Sequence, residues 1–249
     1  MFSHSFLKPL SAFLLCSTML LPQLASAEGI VLGGTRLVYP MDAKQVTLSV
    51  RNSSKENSYL VQSWAENSQG VKSTDFIITP PLYVSNAGDQ NMLRVIFSGS
   101  SLPMDRETLY YFNAKAIPSV DKSKLEGKNT LLLAAVTRIK LFVRPKGLDV
   151  QVEKAPSMLT FKRNGNTVQI SNPSPYHVTL VQIALDGRKV ENTMVAPFGT
   201  EALASPGTPR TITYSTSMTM VLFLNSNDIA CNALKSICTS YLSGLWFLL

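Results

Sequence analysis

Few side chains in this 249-residue chain could carry covalent or acid–base chemistry. The histidines are His4 and His177, and the cysteines are Cys16, Cys231 and Cys238. A Ser–His–acid triad needs a base oriented by a third group. His177 sits between Tyr176 and Val178 in a strand-like run, with no nucleophile motif to serve, and reads as a packed or surface histidine. Metal centres need clustered His, Cys or carboxylate ligands, and the Cys231/Cys238 pair has no ligand-like spacing. Gly33-Gly34 is a turn, not a phosphate-cradling loop. No catalytic residue, metal, cofactor or small-molecule substrate is expected, so the chain reads as a binding protein and not an enzyme.

What remains is charge and apolar surface. The formal charge is +7, from 23 Lys and Arg against 16 Asp and Glu, with no polybasic run. Without a basic helix or an aromatic stacking platform, this balance suits a carboxylate-bearing partner and not a nucleic acid. The most telling cations, Arg138, Lys140 and Arg144, share one side-chain phase at the end of NTLLLAAVTRIKLFVRP (129–145). Successive side chains of a strand point to opposite faces. Thr137, Ile139, Leu141 and Val143 therefore face away from these cations, while the preceding Leu131–Val136 run is apolar in both phases. Such a strand is either central in a sandwich, or an edge strand whose apolar row waits for a partner.

The elements around it are strands too. Val46, Leu48 and Val50 alternate with Thr47, Ser49 and Arg51; Tyr59–Trp64, Leu82–Val84, Asn91–Phe97 and Leu109–Ala114 extend similarly between turns such as Asn52-Ser53-Ser54 and Asn86–Asp89. Beyond Pro145-Lys146-Gly147 the strands are shorter, with turns at Arg163–Asn166 and Asp186-Gly187. Short alternating runs separated by turn signals predict an all-β protein. Residues 1–27 read as a secretory signal peptide, with Lys8, an apolar stretch shorter than a membrane span, and Ala25-Ser26-Ala27 before the cut. We expect one domain over 28–146 and another over 147–249, with 217–249 atypical: nearly uncharged, without strand alternation, and ending in a bare apolar tail.

Together, GGTRLVYP (33–40), TPPLYV (79–84), LPMDRETLYYFNAKAIP (102–118) and TRIKLFVRP (137–145) resemble the PapD-like periplasmic chaperones of pilus assembly, supported by NPSPYHVTL (172–180) and MVAPFGT (194–200). The resemblance implies two immunoglobulin-like β-sandwiches in an L-shaped arrangement. It also implies a periplasmic protein whose partners are pilus subunits and an outer-membrane usher. By matching positions, Leu131, Leu133 and Ala135 are the side chains lent to a subunit groove, leaving Leu132, Ala134 and Val136 to face the protein's own core. Arg36 and Lys140 match the residues that anchor a subunit's C-terminal carboxylate, and Glu107 and Arg144 match two members of an interdomain ionic cluster. The loop from Ser119 to Thr130 is short and lacks cysteine, which resembles the branch of the family serving rod-like pili.

The cluster's third member, an aspartate in a STINDYG-like motif, is missing. Ser215-Thr216-Ser217-Met218-Thr219-Met220 stands there, and its last four residues are what Ile-Asn-Asp-Tyr-Gly codons yield when read one base late. The chain from about Ser217 therefore reads as a frameshift product, with the final strand replaced. The competing reading for the whole chain is an extracellular sandwich module, structural or adhesive, which gives no reason for pairing Arg36 with Lys140.

Overall fold

The computed structural model describes residues 28–119, 133–205 and 207–216, and the backbone of Val221–Leu224. The expectations for residues 1–27, Leu131, Leu132, Cys231 and Cys238, and for most of the tail, lie outside the described residues.

Among the described residues, nine strands precede Pro145: β1 (Ile30–Leu32), β2 (Arg36–Pro40), β3 (Val46–Asn52), β4 (Tyr59–Asn67), β5 (Phe76–Thr79), β6 (Leu82–Ser85), β7 (Gln90–Phe97), β8 (Thr108–Pro118) and β9 (Ala135–Arg144). They form two sheets, β1-β3-β7-β5 and β2-β9-β8-β4-β6. Period-two alternation turns one apolar row of each strand inward. Leu48 and Val50, Leu93 and Val95, Tyr110 and Phe112, and Ile139, Leu141 and Val143 all enter a single core between the sheets. Each fully buried Val, Leu, Ile or Phe contributes about 1.5–3 kcal/mol by leaving water.

A second sandwich follows: β10 (Thr160–Asn164), β11 (Thr167–Ser171), β12 (Val178–Leu185), β13 (Arg188–Lys189), β14 (Thr193–Val195), β15 (Thr200–Ala204), β16 (Ile212–Thr216) and β17 (Val221–Leu224). Its sheets are β10-β11-β15 and β13-β12-β16-β17, with β14 on β12. Phe161, Ile170, Leu180, Ile183, Leu185 and Tyr214 build its own core. The fold is all-β, as the alternation predicts, with the two immunoglobulin-like sandwiches that the resemblance implies. The β10–β11 hairpin turns through Gly165 at φ 57°, a conformation favouring glycine at the first central position of a tight turn.

Two features escape the alternation. Val152–Met158 forms a 3₁₀ segment between the sandwiches. β12 slips register against β16 between Val181 and Ala184, where Gln182 takes a positive φ of 53°. At the far end, β17 pairs with β16 from Ser215↔Val221 to Ile212↔Leu224.

Candidate functional site

β9 is the element that positions the site. It pairs with β8 along its length, Ala135↔Ala116 through Val143↔Thr108, without a bulge. On its other edge, parallel β2 begins only at Arg36↔Lys140. Residues 135–139 are therefore paired on one side alone among the described residues. This is the edge-strand alternative, not the central one. A row of unmade backbone hydrogen bonds beside apolar side chains is a template for another strand. Leu133 is 71% exposed and Val136 52% exposed, with Ala134, Ala135 and Thr137 also open to solvent.

One expectation is overturned. Because the ladder has no bulge, the core-facing phase of β9 is that of Ile139, Leu141 and Val143. Leu133 and Ala135 continue that phase outward past the end of the core, whereas Ala134 and Val136 lie on the phase of Lys140 and are exposed. Ala134 and Val136 do not face the protein's own core. The apolar row of Leu133 and Ala135 instead prolongs the core-facing phase into solvent.

Where that open edge ends, the parallel register sets Arg36 and Lys140 side by side. They line a cavity of about 300 Å³ with Arg138, Tyr111, Phe142 and Thr179. Lys140 is half-buried; its ammonium donates a 2.9 Å hydrogen bond to the Thr179 hydroxyl, which comes from β12 of the second sandwich. Burial, and then the like charge of Arg36, pushes the Lys140 pKa below the ordinary lysine value. Arg138 lies over the Tyr111 ring at 3.8 Å and pairs with Glu66 at 3.1 Å. A partly desolvated pair of cations suits an anion, and a planar carboxylate could take charge-assisted bonds from both.

Behind the cavity a buried carboxylate joins the sandwiches. Glu107, 4% exposed, accepts a 2.7 Å bond from Arg144 Nε on one oxygen. Its other oxygen accepts the His177 backbone N–H at 2.9 Å and lies 3.5 Å from the imidazole Nδ1. Its own N–H donates to the Pro175 carbonyl at 2.9 Å. Burial alone would raise the Glu107 pKa; the His177 and Arg144 contacts outweigh it and hold the carboxyl below its ordinary value. His177 is packed, with its ring 5.3 Å from Phe142, as the plain reading of a lone histidine expects.

The structure thus brings together Arg36 with Lys140, and Glu107 with Arg144, and places Leu133 and Ala135 on the approach to the first pair. Sequence reasoning did not find Thr179, nor the contacts of His177, Arg138, Tyr111 and Glu66. Only Arg138 carried a signal, its shared phase with Lys140.

Comparison with known proteins agrees with this architecture. Residues 29–149 match the family described as "Pili and flagellar-assembly chaperone, PapD N-terminal domain", and residues 154–221 match "Pili assembly chaperone PapD, C-terminal domain". The chain is 50% identical over 172 residues to "Probable fimbrial chaperone SfmC" of Escherichia coli (strain K12), covering 69% of this chain and 75% of that one. The crystal structure of the periplasmic chaperone SfaE superposes with a TM-score of 0.68 at 39% identity, over 80% of this chain and 99% of that one. The SafB chaperone of Salmonella enterica, solved in complex with SafA pilin, gives a TM-score of 0.71 at 27% identity, covering 81% and 98% of the two chains. These relatives are chaperones and not enzymes, and this protein belongs to the PapD-like family of pilus-assembly chaperones.

Proposed function

We propose that this protein is a periplasmic chaperone that captures pilus subunits on β9 and passes them to an outer-membrane usher. The observation that carries the reading is the juxtaposition of Arg36 and Lys140 where the unpaired edge of β9 ends. In this reading a subunit's terminal carboxylate sits between the two cations, which fixes the strand register. Its last strand then pairs with residues 135–139, while Leu131, Leu133 and Ala135 fill its open groove. Glu107 and Arg144 hold the two domains, joined near Lys146, at the angle that keeps the cleft open. A relative solved with a pilin, SafB with SafA, supports pilus subunits as the partner class.

The test is periplasmic co-purification with a fimbrial subunit for the wild-type chain, Lys140→Ala and Leu133→Asp. Retention by wild type and loss in both variants is the expected result. Equal retention by all three would overturn the reading, and failure of every subunit to bind would favour the extracellular sandwich module.

A further inference from the structure

We propose that Thr179 is a third member of the carboxylate anchor, a positioning residue that aims Lys140 and donates its own hydroxyl hydrogen to the captured carboxylate. This rests on the anchor reading above and deepens it.

The Thr179 oxygen already accepts from the Lys140 ammonium at 2.9 Å. A threonine hydroxyl has one hydrogen to give besides the lone pairs it offers, and with one lone pair used by Lys140, that hydrogen is left for an acceptor. Thr179 faces the same cavity as Arg36 and Lys140, so an acceptor entering there meets a guanidinium, an ammonium and a hydroxyl. A lysine is a flexible point charge with three donors and four rotatable carbons. Committing one donor to Thr179 removes much of that freedom before the ligand arrives, which lowers the cost of binding.

Thr179 also ties the anchor to the arrangement of the sandwiches. Lys140 belongs to β9 of the first and Thr179 to β12 of the second. Two residues earlier on the same chain, His177 holds Glu107 across the seam. An opening of the seam would draw the hydroxyl away from the ammonium. By linkage, carboxylate capture then strengthens the seam by the same factor that the closed seam strengthens capture.

The test uses the full chain and a fluorescein-labelled peptide copying the last strand of a fimbrial subunit, prepared as free acid and as C-terminal amide. Wild type is expected to prefer the acid. Thr179→Val should cut that preference about tenfold, the scale of one hydrogen bond to a charged group, with amide affinity unchanged. Thr179→Ser should restore it. Titration of the Lys140 ammonium by NMR should show its pKa falling further in Thr179→Val, because an acceptor that stabilises the charged form is gone. An undiminished acid preference in Thr179→Val, alongside its loss in Lys140→Ala, would leave the anchor standing and remove Thr179 from it. Equal weakening of acid and amide would make Thr179 a packing residue and overturn the proposal. A wild type indifferent to acid or amide would sink the anchor reading itself, and Thr179 with it.

Discussion

Lys140 is held where its charge is least comfortable, half-buried and beside Arg36. A folded-state pKa below the unfolded one means that its charged form opposes folding, and this opposition eases as pH rises through the lowered pKa. Replacing it by Met should therefore leave the free chaperone as stable or more stable by about 0.5 kcal/mol, the scale of a half-exposed charge pair. Subunit capture should disappear. Thermal melting of the free protein and co-purification of a subunit, measured on one preparation, check both halves. A variant that melts markedly lower would mean that Lys140 works for the fold and not for a partner. Residues that serve binding commonly cost the free protein stability, and Lys140 fits that trade-off.

At the scale of the element, β9 does two jobs along one strand. Its second half closes the first sandwich, with Leu141 and Val143 fully buried, while its first half offers an unpaired edge and exposed side chains. Leu133→Asp should leave the melting temperature nearly unchanged, since Leu133 is 71% exposed, yet weaken subunit binding roughly thirtyfold, the worth of burying one leucine side chain. Under the proposed function, Ala135 is small for a position that fills a subunit's groove. Ala135→Leu should bind a subunit more tightly and release it more slowly in a peptide-exchange assay. Faster release would show that the groove has no room at that point.

The two sandwiches meet through Glu107, Arg144 and His177, and this seam should make the stability of the molecule fall in acid. Glu107 has a lowered folded pKa, so its stabilisation is present above the unfolded glutamate value and is lost as pH falls through the folded one. Unfolding by acid should steepen below about pH 4.3, the ordinary glutamate value. Glu107→Gln should lower stability by about 2 kcal/mol at neutral pH, the cost of leaving the partly buried Arg144 without its anion. That variant should also have a flatter acid limb in melts taken from pH 3 to 7. A limb unchanged by Glu107→Gln would place the acid sensitivity elsewhere. His177 contributes its backbone N–H whatever its protonation, so His177→Phe should cost less than Glu107→Gln.

Alternation along Val46–Arg51 and Leu109–Ala114, and the turn residues between strands, made the all-β class legible, because period-two burial is a local consequence of strand geometry. The motifs around Arg36 and Lys140 pointed to the candidate site by resemblance, and their pairing is a matter of register that each short run could not show. Whether the apolar run of β9 is central or at an edge was open in its sequence, since both kinds of strand bury apolar rows. The late start of β2, at Arg36, leaves residues 135–139 paired on one side alone among the described residues. The same assembly reversed the expected roles of Ala134 and Val136, because the phase facing the core is set by the unbroken ladder to β8. Thr179 and His177 lie far along the chain from Lys140 and Glu107, in a different sandwich. Their contacts arise from how two separately cored sandwiches dock. Sequence alone determined which rows are apolar and which residues are charged; tertiary structure decided which edge stays open and which charges meet, because pairing and docking join residues that no local periodicity connects.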